Sequence, residues 1–374
     1  MPTHTTNIIL FDDKYYSDLL PFTFTRPACE IRIGILTIRE KWEAIMNTLC
    51  SHLTRDHLTK KFPLHLEEEN LLINGRVLPD EHLLHSINEL QHHEALVWDS
   101  TLVAVKLKKE AVNSFDPDNY SLYNVKQNNK DPLSIRYPWN IFSYNGVALS
   151  RDFEHLTQGR TSANISNTNQ IFGSHECFAE EGARLEYVTI NTENGPVYIG
   201  NNAEIMEGAV IRGPFALCSH AVVKLAAKIY GPTTLGPYVK AGGELNNVVF
   251  FGFSNKAHDG FVGNAVIGEW CNIGADSNSS NLKNNYKEVK VWNYTTQRFI
   301  NTGLQFCGLL MGDHSKCGIN TMFNTGTVVG VSANIFGDGF PRTFIPSFSW
   351  GGANGFKTYQ LNKALEVAEQ VMNR

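Results

Sequence analysis

Between residues 241 and 275 the chain sets polar and basic side chains at short, ordered intervals. Glu244-Leu245-Asn246-Asn247 is followed by Ser254-Asn255-Lys256-Ala257-His258, then by Gly263-Asn264-Ala265-Val266-Ile267-Gly268 and by Asn272-Ile273-Gly274-Ala275. An ordinary imidazole titrates near pH ~6.5, so a histidine in such a stretch is the side chain suited to take up a proton at neutral pH. A polar insertion over residues 276–306 carries Asn278, Asn281, Asn284, Asn285 and Tyr286. Long excursions of this kind from regular structure more often bind ligands than merely connect. Near the N-terminus, Asp12-Asp13-Lys14 follows the apolar run Ile8–Phe11, with Arg26 and Arg76 as isolated cations further on. His92-His93 and Glu67-Glu68-Glu69 lack metal-ligand spacing and read as solvated surface. No metal site is expected.

What positions these residues is an internal repeat. Stepping by six from Ile199 meets Ile205, Ile211, Leu217, Val223, Ile229 and Leu235. Aliphatic side chains make up roughly a third of a typical chain, so such a run is not chance. The residue two before each is usually small: Ala203, Ala209, Ala221, Ala227 and Thr233, with Phe215 the exception. Met311, Cys317, Phe323, Val329 and Ile335 repeat the step, and Ile267 and Ile273 hold it between the two runs. Neither a helix nor a two-sided strand has this period. A triangular coil does: each short strand forms one side, its central aliphatic points inward, and Gly or Asn turns the corner. Stacked coils then bury one continuous column. The register fails over residues 241–258, where the candidate base sits. Leu361, Ala364, Leu365, Ala368 and Met372 share one face of a helix expected over Lys357–Met372, to cap the last coil or pack on a neighbouring subunit.

The 374 residues suit two domains, and a net charge of -5 offers no footprint for nucleic acid or an anionic membrane. No apolar run reaches the length of a membrane-spanning helix, and the start of the chain reads as a first strand rather than a signal peptide. Seven cysteines, scattered and never spaced C-x-x-C, argue against disulfides or zinc and suit a cytoplasmic protein. Residues 1–155 read as mixed α/β, with strands at Ile8–Phe11, Leu71–Asn74, Ala95–Trp98 and Leu102–Lys106 and helices at Ile38–Leu49 and Asp80–Leu90. Residues 156–185 would be linker and first coil, 186–350 the β-helix and 351–374 the cap. The fold class is therefore α/β plus all-β.

Leu19-Leu20-Pro21-Phe22-Thr23-Phe24-Thr25-Arg26-Pro27 resembles the segment after the Gly-rich loop of sugar-nucleotide pyrophosphorylases. Asn74-Gly75-Arg76 resembles their N-G-D, and Tyr137-Pro138-Trp139-Asn140 resembles the P-W-D that precedes the β-helix in two-domain members. The stretch 195–335 resembles the acetyltransferase domain of bifunctional GlmU-type enzymes, which act on glucosamine 1-phosphate, and their archaeal sugar-1-phosphate relatives. The resemblance implies a truncated, Rossmann-like nucleotidyltransferase domain, then a left-handed parallel β-helix of hexapeptide repeats and a C-terminal helix, assembled as a homotrimer.

By position, the resemblance makes His258 the general base, Asn272 a sugar contact, and Ala275, Asn281 and Lys287 contacts to the co-substrate acetyl-CoA. Asn246, Phe261 and Tyr230 fall where the family has a lysine, a tyrosine and an arginine facing the sugar phosphate. Arg26 is a candidate phosphate contact. In the N-terminal domain Phe11-Asp12-Asp13-Lys14 replaces the glycine loop and Arg76 replaces the acid that holds Mg²⁺, a metal needed only if that domain transfers nucleotides. Three readings follow: acetyl transfer to an amino sugar, nucleotidyl transfer from UTP or dTTP, or a non-catalytic scaffold that binds nucleotide sugars. The acceptor sugar, the nucleotide and the survival of both activities are not written in the sequence.

Overall fold

The structure, a computed structural model, describes residues 7–373. It divides into two compact units, one of residues 1–31 and 36–137 and the other of residues 32–35 and 138–374.

The first unit is a six-stranded mixed sheet: β1 (Asn7–Phe11), β2 (Cys50–Leu53), β3 (Glu69–Asn74), β4 (Glu94–Trp98), β5 (Thr101–Lys108) and β6 (Asn124–Gln127), in the order β2-β1-β3-β5-β4-β6. β1 is parallel to both β2 and β3, β5 is antiparallel to β3 and β4, and β6 is parallel to β4. Parallel strands need apolar residues on both faces, and Ile8–Phe11 and Leu71–Ile73 supply them as unbroken buried runs. Helix α1 (Ile38–Met46) starts at a capping box in which Thr37 Oγ1 accepts from Glu40 N–H and Glu40 accepts from Thr37 N–H. It ends at Asn47, whose φ of 48° reverses the chain, three residues before the expected end at Leu49. Helix α2 (Glu81–Asn88) is capped by Asp80, which accepts from Leu83 N–H at 2.9 Å, and α3 (Lys109–Val112) is a single turn.

The second unit opens with α4 (Pro138–Thr157), continues as a triangular parallel β-helix, and ends in α5 (Leu361–Met372). The step of six is literal in the register. Ile199 pairs with Leu217 and Leu217 with Leu235 on one face, Ile205 with Val223 on the second, and Ile211 with Ile229 on the third. Each full coil thus advances 18 residues, and the inward side chains fuse into one buried column from Ala179 to Ile345. Coils begin at Gln170–Phe172, ahead of the expected start at residue 186.

The register break has a physical cause. In two successive coils the corner between two faces opens out, giving nine-residue strands Glu244–Gly252 and Phe261–Glu269 that pair side by side. Helix α4, placed by the sequence at the end of the α/β domain, belongs to this unit. Its Asn145 Oδ1 accepts from Thr234 Oγ1 at 3.2 Å and from Gly34 N–H at 2.7 Å, and Asp152 accepts from Ile35 N–H at 2.7 Å. At the far end, Gly355–Thr358 folds back antiparallel on Ser349–Gly352, so α5 starts at Leu361 rather than Lys357. No helix among the described residues is long and apolar enough to cross a membrane.

Candidate active site on the β-helix

The strand Asn255–Lys256 ends at Ala257, and His258-Asp259-Gly260 turns the corner into Phe261–Glu269. Gly260 has a φ of 108°, and a β-carbon there would meet the Ser277 carbonyl at 2.2 Å. One coil earlier Gly243, with a φ of 72°, would place a β-carbon 2.7 Å from the Gly260 carbonyl and 3.0 Å from that of His258. Only glycine lets the two corners stack so closely. The result is a cleft of about 400 Å³ whose walls are Lys224, Gly243, Ala257, His258, Asp259, Ala275 and Asp276. His258, Asp259 and Asp276 are exposed, so an imidazole, two carboxylates and the Lys224 ammonium share one open depression.

Beneath the cleft lies Lys256, at an inward rung in register with Ala241 and 1% exposed. Its ammonium donates to the carbonyls of His258 and Asp259, the latter at 2.9 Å. Burial outweighs the nearby Asp259 and Asp276 and pushes the lysine down to about 8.

Of the residues singled out from sequence, His258 and Ala275 meet in this cleft. Tyr230, Asn246 and Gly263 stack in register on the next face. Phe261 and Asn281 close over Gly263, whose hydrogen-sized side chain leaves their atoms 2.5 and 2.6 Å from where a β-carbon would stand. Asn281 Nδ2 donates to Asn264 Oδ1 at 2.8 Å. Asn272 opens instead on a second cleft of about 530 Å³, beside Lys240, Asn255 and Lys316. Lys287 is exposed on the insertion, its N–H bonded to Asn285 Oδ1 at 3.2 Å. Within one chain, then, Asn272, Asn281 and Lys287 do not line the His258 cleft. Sequence reasoning passed over Lys224, Asp259 and Asp276, which only the stacking of coils brings together. It also passed over Lys256, whose signal was a charged residue at a position the column reserves for aliphatics.

The second cleft is walled by a stack of rings that climbs one corner of the solenoid. His220, Tyr238, Phe253 and Trp270 follow at centroid distances of 4.7, 5.3 and 4.3 Å, all within about 11° of parallel, and His314 continues the series. Each of these residues has a φ near 55–60°, so the ladder marks a corner where the backbone enters the left-handed region.

In the first unit the loop after β1 is closed by side chains instead of glycines. Asp12 accepts from Ala28 N–H at 2.9 Å and from Thr54 Oγ1 at 2.5 Å, and burial pushes its carboxyl up to about 6. Arg76 makes two bonds to the Asp13 carboxylate, with Nε–Oδ1 at 2.9 Å, and a third to the Ile135 carbonyl at 2.9 Å. Burial pushes Asp13 up, but the bonds and charge of Arg76 outweigh it and hold the carboxyl below its ordinary range. Arg76 is therefore committed within the fold rather than presented to a phosphate, and Arg26 is buried as well. This donor set does not fit Mg²⁺: one acid faces a guanidinium, the other is bonded and desolvated, and a cation stands in the third position.

Cys29, Glu30 and His52 also approach one another within 4.8 Å. Burial pushes the Cys29 thiol well up, while Glu30 is bound by His52 at 2.8 Å and Arg39 at 2.5 Å, so its charge is already met.

Fold and site define a class: a nucleotidyltransferase-type α/β unit followed by a hexapeptide-repeat β-helix with an acid–base cleft. Residues 8–161 match the sugar nucleotidyl transferase family. The chain is GlmU-like in its organisation. It is 30% identical over 206 residues to a bifunctional sugar-1-phosphate nucleotidylyltransferase/acetyltransferase of Sulfurisphaera tokodaii, covering 54% of this chain and 44% of that one. It is 38% identical over 73 residues to the bifunctional protein GlmU of Methanocaldococcus jannaschii, covering 20% and 17%. The chain thus spans less than half the length of either relative. Among solved structures it is similar to an AntD variant, an N-acyltransferase from Bacillus cereus in complex with a dTDP-4-amino sugar and coenzyme A, at 10% identity and a TM-score of 0.26 over 53% of this chain and 89% of that one.

Proposed function

We propose that the β-helix transfers an acetyl group from acetyl-CoA to the amine of an amino sugar, with glucosamine 1-phosphate the first acceptor to try and His258 the base. The observation that carries this reading is the cleft itself, where His258 stands on an open corner beside Ala275, between two carboxylates and a lysine. Asp259 and Asp276 favour a cationic amine, and Lys224 offers a charge to a phosphate. His258 takes the proton the ammonium must lose, the amine nitrogen forms its bond to the thioester carbonyl, and the C–S bond breaks as the proton passes on to the departing thiolate. Holding both substrates in one cleft supplies much of the remaining rate. Acetyl-CoA is here a co-substrate, and no step needs a metal.

Because Asn272, Asn281 and Lys287 lie outside this cleft within one chain, we propose that a homotrimer completes the site at the junction between subunits. Light scattering that finds a monomer under turnover conditions would remove that part. The main test is thiol release from acetyl-CoA with glucosamine 1-phosphate and a panel of amino sugars, wild type beside His258→Ala. A fall of at least about a hundredfold in the variant supports transfer and base together. Turnover indifferent to the substitution removes His258 from the role.

A second reading rests on the family match over residues 8–161: nucleotidyl transfer to a sugar 1-phosphate by the first unit. The Asp13–Arg76 pair weighs against it, since a buried guanidinium occupies the place of a metal-binding acid. Pyrophosphate release from UTP or dTTP would favour this reading. Nucleotide-sugar binding without turnover in either assay would favour a scaffold.

A further inference from the structure

Every other inward rung on the Lys256 face of the preceding coils is apolar: Leu185, Ile205, Val223 and Ala241 stack in register beneath it. A methionine would fill the same space and lose nothing to desolvation, whereas an ammonium in an aliphatic column is costly unless its donors are used. Two of them are used on consecutive carbonyls of one turn, those of His258 and Asp259. The Asp259 carbonyl also accepts from Asp276 N–H at 3.0 Å, so the turn is held from inside the column and from the following coil.

We propose that Lys256 is the positioning residue of the catalytic turn: its buried ammonium fixes the His258 and Asp259 carbonyls and so aims the imidazole into the cleft. The proposal rests on the reading of His258 as the base. The charged groups facing that imidazole are Lys224 from the preceding coil, Asp259 in its own turn and Asp276 from the following coil, with Lys256 below. The lysine's depressed proton affinity agrees with a group kept for geometry at a cost in stability. No atom of Lys256 need touch substrate, since the side chain is sealed within the solenoid.

The test uses the full chain with Lys256→Met, which preserves length and apolar fit, and three readouts: thermal unfolding, the separate kcat and KM values, and the ¹³Cε1 signal of the His258 imidazole, assigned with His258→Gln. The expected result is an unfolding midpoint at or above that of wild type. With it, kcat falls at least tenfold, the KM for acetyl-CoA changes less than twofold, and the imidazole signal, single in wild type, broadens or splits. Wild-type kcat with an unchanged signal would overturn the proposal. So would a destabilised variant whose losses in kcat and KM merely track its unfolded fraction. Should Lys256→Met not fold, Lys256→Gln carries the same comparison. If no acceptor is turned over, the imidazole signal still decides on Lys256, while failure of the base assignment shows separately as an active His258→Ala.

Discussion

Removing the Arg76 guanidinium should damage the first unit far more than loss of a surface cation would, and more at pH 7 than at pH 5. The side chains of Arg76 and Asp13 are 4% and 5% exposed. In Arg76→Met the Asp13 carboxylate keeps only Asn74 Nδ2 at 2.9 Å and Tyr15 N–H at 3.0 Å. Stripping one partner from a buried pair costs about 3–5 kcal/mol, because the other charge stays desolvated. The sign of the pH dependence follows. In wild type the depressed Asp13 contributes stability that is present above pH 3.8 and lost as pH falls through its folded value. Without Arg76, burial dominates and the folded carboxyl rises above 3.8, so stability then falls as pH climbs towards 7. Neutralising the acid as well, in Asp13→Asn/Arg76→Met, should recover at least about 2 kcal/mol as coupling energy. Two units need not unfold together, so the assay is urea unfolding at both pH values followed through Trp42 labelled with 5-fluorotryptophan. Trp42 is buried in the first unit and donates to the Val77 carbonyl at 2.9 Å. A loss below about 1 kcal/mol, or one independent of pH, would refute the reasoning and return Arg76 to the candidates for phosphate binding.

Asp12→Asn should stabilise the first unit at pH 7. A folded carboxyl near 6 against 3.8 in the unfolded chain makes stability fall as pH rises through that window, by up to about 3 kcal/mol, and urea titrations should show the slope vanish in the variant. Lys256 predicts the opposite slope in alkali. Its folded value near 8 lies below 10.5, so wild type gains up to about 3 kcal/mol between those pH values, and Lys256→Met should be flat there. Gly243→Ala strains a φ of 72° and crowds the His258 carbonyl, so it should lower stability by about 1–2 kcal/mol and cut acetyl transfer at least tenfold. A fully active variant by the thiol assay would mean the two corners can separate without harm.

The solenoid was legible because its period is a direct consequence of three-sided geometry. Ile199, Ile205 and Ile211 fall on three successive faces, and no other architecture asks for an aliphatic at that interval. Parallel strands β1 and β3 were equally plain as apolar runs. The polar strands β2 (Cys-Ser-His-Leu) and β6 (Asn-Val-Lys-Gln) escaped notice, since each is short and β6 is exposed throughout. Helix α4 was credited to the wrong unit because its sequence reports only amphipathicity, whereas its ownership is decided by Asn145 and Asp152 reaching Gly34, Ile35 and Thr234. The same limit applies to the site. A motif places residues along the chain, but only the register places Asn272 around a corner from His258.

The break in the repeat and the cleft are one structural event. A regular coil advances by 18 residues, yet Leu235 pairs with Phe250 and Lys240 with Asn255, each only 15 residues on. The missing three come from the corner that opens out into Glu244–Gly252, and Gly242-Gly243 lies just before that strand. Shortening the coil there without glycines would drive a β-carbon into the backbone of the His258 turn. Conversely, a glycine pair beneath an exposed turn leaves it poorly packed from below, and a small inward Ala241 offers no side chain to grip it. Lys256 answers that deficit from within the column, since a long cationic side chain reaches two carbonyls that no aliphatic could hold. Cost in packing and in desolvation thus concentrates in the coil that carries the imidazole, as expected where a fold gives up local stability for a fixed functional geometry.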